Sequence, residues 1–184
     1  MRWSRYLYNL VLAAILCGVP LLAAAQDSRA DELLDRLADP DLRNWEVVEE
    51  EIYMLWSRSG SATADYLLQR GRAALAAGDM EAAYNHLTAL TDHAPEFAEG
   101  WNARATMFFE AQRYGPSISD IQHVLALEPR HFGALTGLGF MLEEIGDLEN
   151  AMRAFEAAHA IHPHREEING AMTRIARQLE GQAL

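Results

Sequence analysis

His159, His162 and His164 fall close together near the C-terminal end of the chain, and two imidazoles held on one side are the beginning of a metal site. Their surroundings argue against it. Pro163 separates the last two and ends any helix there, while the nearest carboxylates, Glu166 and Glu167, open the next segment. We read the cluster as a boundary loop and assign no metal. His86, His93, His123 and His131 are scattered over helix ends and faces, as surface or half-buried histidines are. Gly137-Leu138-Gly139 has part of a dinucleotide fingerprint but lies inside a helical pattern with no strand before it. No phosphate loop and no serine in a nucleophile elbow are found. These residues imply no catalytic group and no cofactor.

The elements that would carry any site begin with a distinct leader. Arg2 and Arg5 precede an apolar run from Tyr6 to Ala25 with no acidic residue, closed by Ala23-Ala24-Ala25 before Gln26 and Asp27. This is the layout of a cleavable signal peptide over residues 1–25, and it predicts export. A run of this length is also long enough for an uncleaved membrane anchor, but Asn9 inside it, Pro20 near its end and the small residues at the site favour cleavage. Cys17, the only cysteine, follows Leu16 rather than the small residue a lipoprotein requires, and it leaves with the leader. The mature chain then has no thiol for a disulfide, a nucleophile or a metal. Loss of Arg2 and Arg5 takes the net charge from −12 to −14. Such an acidic surface repels phosphate backbones and anionic lipid, so no nucleic-acid partner and no stable membrane insertion after cleavage are expected. Apolar residues at 50% and charged ones at 23% of the chain are those of a protein that folds around a core.

Beyond the leader the chain repeats itself. Pro95, Pro129 and Pro163 stand 34 residues apart, and taking each as the thirty-second position of a unit gives abutting units 64–97, 98–131 and 132–165. The fourth positions are Leu67, Trp101 and Leu135, and the eighth are Gly71, Ala105 and Gly139, small enough for two helices to approach. Ala83, Ser117 and Ala151 follow at the twentieth position, then Leu87, Ile121 and Phe155 at the twenty-fourth and Leu90, Val124 and Ala158 at the twenty-seventh. Gly78-Asp79, Arg113-Tyr114-Gly115-Pro116 and Gly146-Asp147 read as the turns between two helices of a unit.

At these offsets the chain resembles the tetratricopeptide-repeat (TPR) family over about 100 of its 184 residues. The seventh position departs from the family's usual leucine with Arg70 and Arg104, whose aliphatic stems are expected to lie on the packed surface with their charge in water. The resemblance implies an all-α, right-handed superhelical solenoid of three helical hairpins, with a concave groove that accepts a protein or peptide. Carried over position by position, the groove lining is Leu68, Arg72 and Leu75 from the first unit, Asn102, Thr106 and Phe109 from the second, and Thr136, Phe140 and Glu143 from the third. Phe109 and Phe140 are either groove anchors or core residues. The lysine-based clamp by which some members of the family hold a C-terminal carboxylate has no counterpart, since Leu68, Asn102 and Thr136 occupy its positions and the chain has no lysine.

An array of repeats needs its ends covered. Ile168, Met172, Ile175 and Leu179 form one stripe of a C-terminal capping helix within 166–184. Residues 26–63 read as an N-terminal cap made from a degenerate repeat, with one helix from Asp31 to Ala38 and another from Asp41 to about Ser57. The run Glu49-Glu50-Glu51 with Glu46 is read as a solvated face. Together these features predict a non-enzymatic periplasmic adaptor or scaffold that binds through its concave groove. A structural subunit of an envelope assembly, binding through its convex face or caps, is the alternative.

Overall fold

The computed structural model describes residues 28–182, so the expected signal segment lies outside the described residues. Within them every regular element is a helix. Helix α1 covers 28–37 and α2 Trp45–Trp56. Three hairpins follow, α3 (Ala62–Ala76) with α4 (Met80–His93), α5 (Ala98–Glu110) with α6 (Tyr114–Leu127), and α7 (Phe132–Glu144) with α8 (Leu148–Ile161), and then α9 (Glu166–Gln182). No helix among the described residues is long and apolar enough to cross a membrane.

Local chemistry sets the helix ends. Ser61, Asp79, His131 and Asp147 each accept a hydrogen bond at their helix N-terminus, from the backbone N–H of Ala64, Ala82, Ala134 and Asn150 respectively, which satisfies donors the helix cannot. The three prolines mark equivalent places. Each follows a C-cap residue of nearly the same backbone geometry, φ −134°, −134° and −137° at Ala94, Glu128 and His162. Within the hairpins the turn residue is left-handed, Gly78 at φ 74° and Gly146 at φ 81°. In the second hairpin that place falls to Gln112 at φ 56°, and Gly115 and Pro116 belong to the first turn of α6 rather than to the turn.

Packing follows the small-against-large rule. A Cβ on Gly71 would run into the Leu87 side chain, and one on Gly139 would stand 2.7 Å from the Phe155 ring, so these glycines are what let the paired helices close. Each hairpin's core is completed by the first helix of the next unit: Met107 and Phe108 of α5 join Leu68, Leu87 and Leu90, and Ala134 and Met141 of α7 join Ile121 and Val124. Ile168, Ala171 and Ile175 of α9, all fully buried, close the third core against Ala151, Phe155 and Ala158. Arg104 departs from its expectation. Instead of reaching water its guanidinium donates to both carboxylate oxygens of buried Asp120, at 2.7 and 2.8 Å, and to Thr91 at 2.8 Å, tying the first repeat to the second; Arg70 is exposed.

The N-terminal pair also departs from its expectation. Leu33, Leu34 and Leu37 of α1 and Val48 and Ile52 of α2 are buried together with Phe132 and against Ile161, not against the outward side of α3, where Tyr66 stays 57% exposed. The pair is therefore a strap lying across the turns between repeats, not an end cap stacked on the first one. Ion pairing directs it there: Arg130 bonds Asp35 at 2.8 Å and lies 3.7 Å from Asp31, and the Arg165 Nε donates to Glu49 at 2.8 Å.

Candidate protein-binding groove

Helix α3 approaches α5, and α5 approaches α7, while α4, α6 and α8 make no comparable approach to one another. The first helices of the hairpins thus line the inner side of a curved stack. The expected lining residues are all on these helices, but they differ in what they offer. Leu68 is 3% exposed and belongs to the first core, with Leu75 packed against it. Phe140 sets its edge on Phe155 at 5.0 Å and packs on the third core. Phe109 is half-buried against the second core and tilted on Tyr114 at 5.9 Å. Both phenylalanines contribute to packing. Glu143 accepts two hydrogen bonds from Arg174 of α9, each 2.7 Å. Thr106 and Thr136 return their hydroxyls to the carbonyls of Asn102 and Phe132; Thr106 is exposed and Thr136 half-buried. A Cβ added at Gly137, beside Thr136, would meet no atom within 4 Å. An open strip remains along α5 and α7.

Arg72 and Asn102 converge on a residue that the offsets did not select. Glu99 is 3% exposed; Arg72 pairs with it, and Asn102 Nδ2 donates to both of its oxygens at 3.2 Å. His131, fully buried, completes the set with Nε2 3.0 Å from Glu99 Oε2. Because His131 Nδ1 accepts from the Ala134 N–H at 3.1 Å, the neutral ring carries its proton on Nε2 and donates it to Glu99. Burial raises the Glu99 carboxyl, but the His131 hydrogen bond, with Arg72 and Asn102, more than offsets this and holds it below its ordinary value. Trp56 of α2 covers the group, its ring stacked on His131 at 4.1 Å.

Two of the three clustered histidines hold the strap, while His159 Nδ1 is buried with no hydrogen-bond partner among the described residues. His162 Nε2 donates to Glu49 at 3.1 Å, and His164 Nε2 to the Leu37 carbonyl at 3.1 Å. Trp45 meets both rings, at 5.3 and 5.7 Å. Tyr53, between Phe132 and Arg165, is buried enough to push its phenol up to about 12. The sequence singled out these histidines for their proximity; their partners lie more than a hundred residues away.

No family model matches the chain. A TPR repeat-containing protein of Rhizobium etli is 35% identical over 162 residues, 86% of this chain and 78% of that protein. The chain belongs to the TPR family. Solved TPR structures superpose on it: the first TPR domain of Spaghetti (RPAP3) bound to an HSP90 peptide, at TM-score 0.63 and 22% identity over 65% of this chain and 95% of that one, and the Sgt2 TPR domain from Aspergillus fumigatus, at TM-score 0.63 and 18% identity over 67% and 83%. They share the TPR fold with this chain. In this TPR protein the strap covers the Glu99 end of the inner surface, where the Tyr53 hydroxyl would stand 3.3 Å from a Cβ on Gly133.

Proposed function

We propose that this TPR protein is an exported, periplasmic adaptor or scaffold that holds a protein or peptide partner along the inner surface of α5 and α7. The observation that carries the reading is the open strip beside Thr106, Thr136 and Gly137, which the strap leaves uncovered. A TPR domain of the same fold is seen with a peptide bound, which supports a peptide as ligand, and extended segments suit such grooves. Leu68 and Phe140 set the shape of the floor, Thr106 supplies a polar contact, and Phe109 supplies the exposed part of an aromatic ring. Gly137→Arg sets a long side chain on the strip from a position whose Cβ meets no atom within 4 Å, and arginine is a better helix former than glycine. Affinity capture with this variant should lose the partner held by the unaltered protein, with thermal stability no lower than that protein's. Equal capture by both rejects the groove.

One observation favours the alternative of an envelope subunit that binds through an end. Tyr66 on α3 is 57% exposed, on the outward side of the first repeat, which the strap leaves bare. Capture lost on Tyr66→Ala and kept with Gly137→Arg supports that reading.

A further inference from the structure

The strap is held by side chains whose chemistry is complementary in one direction. Residues 28–56 contain nine carboxylates against three arginines. The edge beneath them carries Arg130, His131, His162, His164 and Arg165, on two successive turns between repeats. Asp31 and Asp35 meet Arg130, Glu49 meets Arg165 and His162, and Trp56 stacks on His131. This edge therefore recognises an acidic, amphipathic, tryptophan-bearing helix, and the chain supplies one itself.

The fit is incomplete. Four buried side-chain polar atoms among the described residues have no hydrogen-bond partner, and two of them, Trp56 Nε1 and His162 Nδ1, lie at this seam. Such groups disfavour the state that buries them, and opening to water relieves them. A cleft of about 440 Å³ also runs under the end of α2, between Leu55 and Trp56 on one side and the Ala94–Glu99 turn on the other. The strap joins α3 through the short non-helical stretch 57–61, so it can lift without unwinding a repeat.

We propose that the turn edge is a second interaction surface, and that an acidic amphipathic helix of a partner binds it by displacing the strap. The surface is distinct from the inner strip, and blocking the strip with Gly137→Arg leaves it intact.

The probe is a fluorescein-labelled peptide of residues 42–58, titrated into the full chain and two variants, with circular dichroism as a check on folding. Glu49→Arg sets a positive charge beside Arg165 and weakens the strap; the peptide should bind it at least tenfold more tightly than the unaltered chain. Adding Arg165→Glu restores the internal pair with reversed charges and opposes the peptide's own Glu49, so binding should be lost. Equal binding to all three proteins, or none to Glu49→Arg, overturns the proposal. A concentration-dependent dimer of Glu49→Arg in light scattering that excludes the peptide also overturns it, by making a second copy the occupant. Hydrogen exchange on the unaltered chain covers the case in which Glu49→Arg does not fold. Amides of α1 and α2 should exchange at least ten times faster than those of α5 and α7, and faster still with saturating peptide. Equal protection of the strap and the repeats overturns displacement.

Discussion

At the scale of single residues, the organising group is the Glu99 carboxylate, buried between two repeats and satisfied by Arg72, Asn102 and His131. His131 does two things at once, capping α7 through Nδ1 and donating to Glu99 through Nε2. His131→Ala removes both and leaves a buried carboxylate short of a donor, so urea unfolding should show a loss of about 2–4 kcal/mol. His162 governs a pH effect. Burial lowers its pKa below the 6.5 of a free histidine, against the opposing pull of Glu49 and in the same sense as Arg165 and His164. Below pH 6.5 the unfolded chain therefore takes up a proton that the folded chain resists, and stability present above that pH is lost as pH falls towards the depressed value. The thermal midpoint should fall between pH 7 and pH 5.5, and His162→Gln should flatten that slope; an equal slope in both assigns the effect elsewhere. Glu99 acts in a separate window, losing its contribution only as pH drops through its own lowered value, under the ordinary 4.5. Little of this was legible in the sequence. The offsets found Arg72 and Asn102, but the carboxylate that joins them was missed. An acid in the first turn of α5 has the same pattern whether it meets solvent or, as here, a histidine 32 residues on.

At the scale of elements, the period was fully legible because it is written in backbone requirements. A proline ends each second helix, and a small residue recurs at the eighth position; the structure shows what that residue admits, the large side chain of the twenty-fourth, Leu87 over Gly71 and Phe155 over Gly139. The second hairpin hid its turn, because Gln112 adopts the left-handed conformation that glycine takes in the other two. A side chain in that conformation is strained by about 1–2 kcal/mol, and glycine gives back part of this in unfolded-state entropy. Gln112→Gly should raise stability by about 0.5–1 kcal/mol in urea unfolding, and a loss would mean that the side chain makes a compensating contact. The strap was legible as helix but not as strap. An apolar stripe says that a helix has a buried side without naming the surface that covers it, and the covering residues Phe132 and Ile161 lie far along the chain.

At the scale of the whole molecule, three hairpins and α9 make one continuous stack in which each unit finishes the core of the one before it. The strap adds a long-range closure, joining residues of α2 to the turn 113–116 positions away through Glu49, His162 and Arg165. It covers one edge and leaves an inner strip along α5 and α7. That division of the surface is the centre of the account, and site-specific photo-crosslinking in cells tests it most directly. A crosslinking residue at exposed Thr106 on the inner strip is compared with one at exposed Glu156 on α8. A partner held on the inner strip gives a specific protein adduct from position 106 and none from position 156; an adduct from 156 alone would contradict that placement.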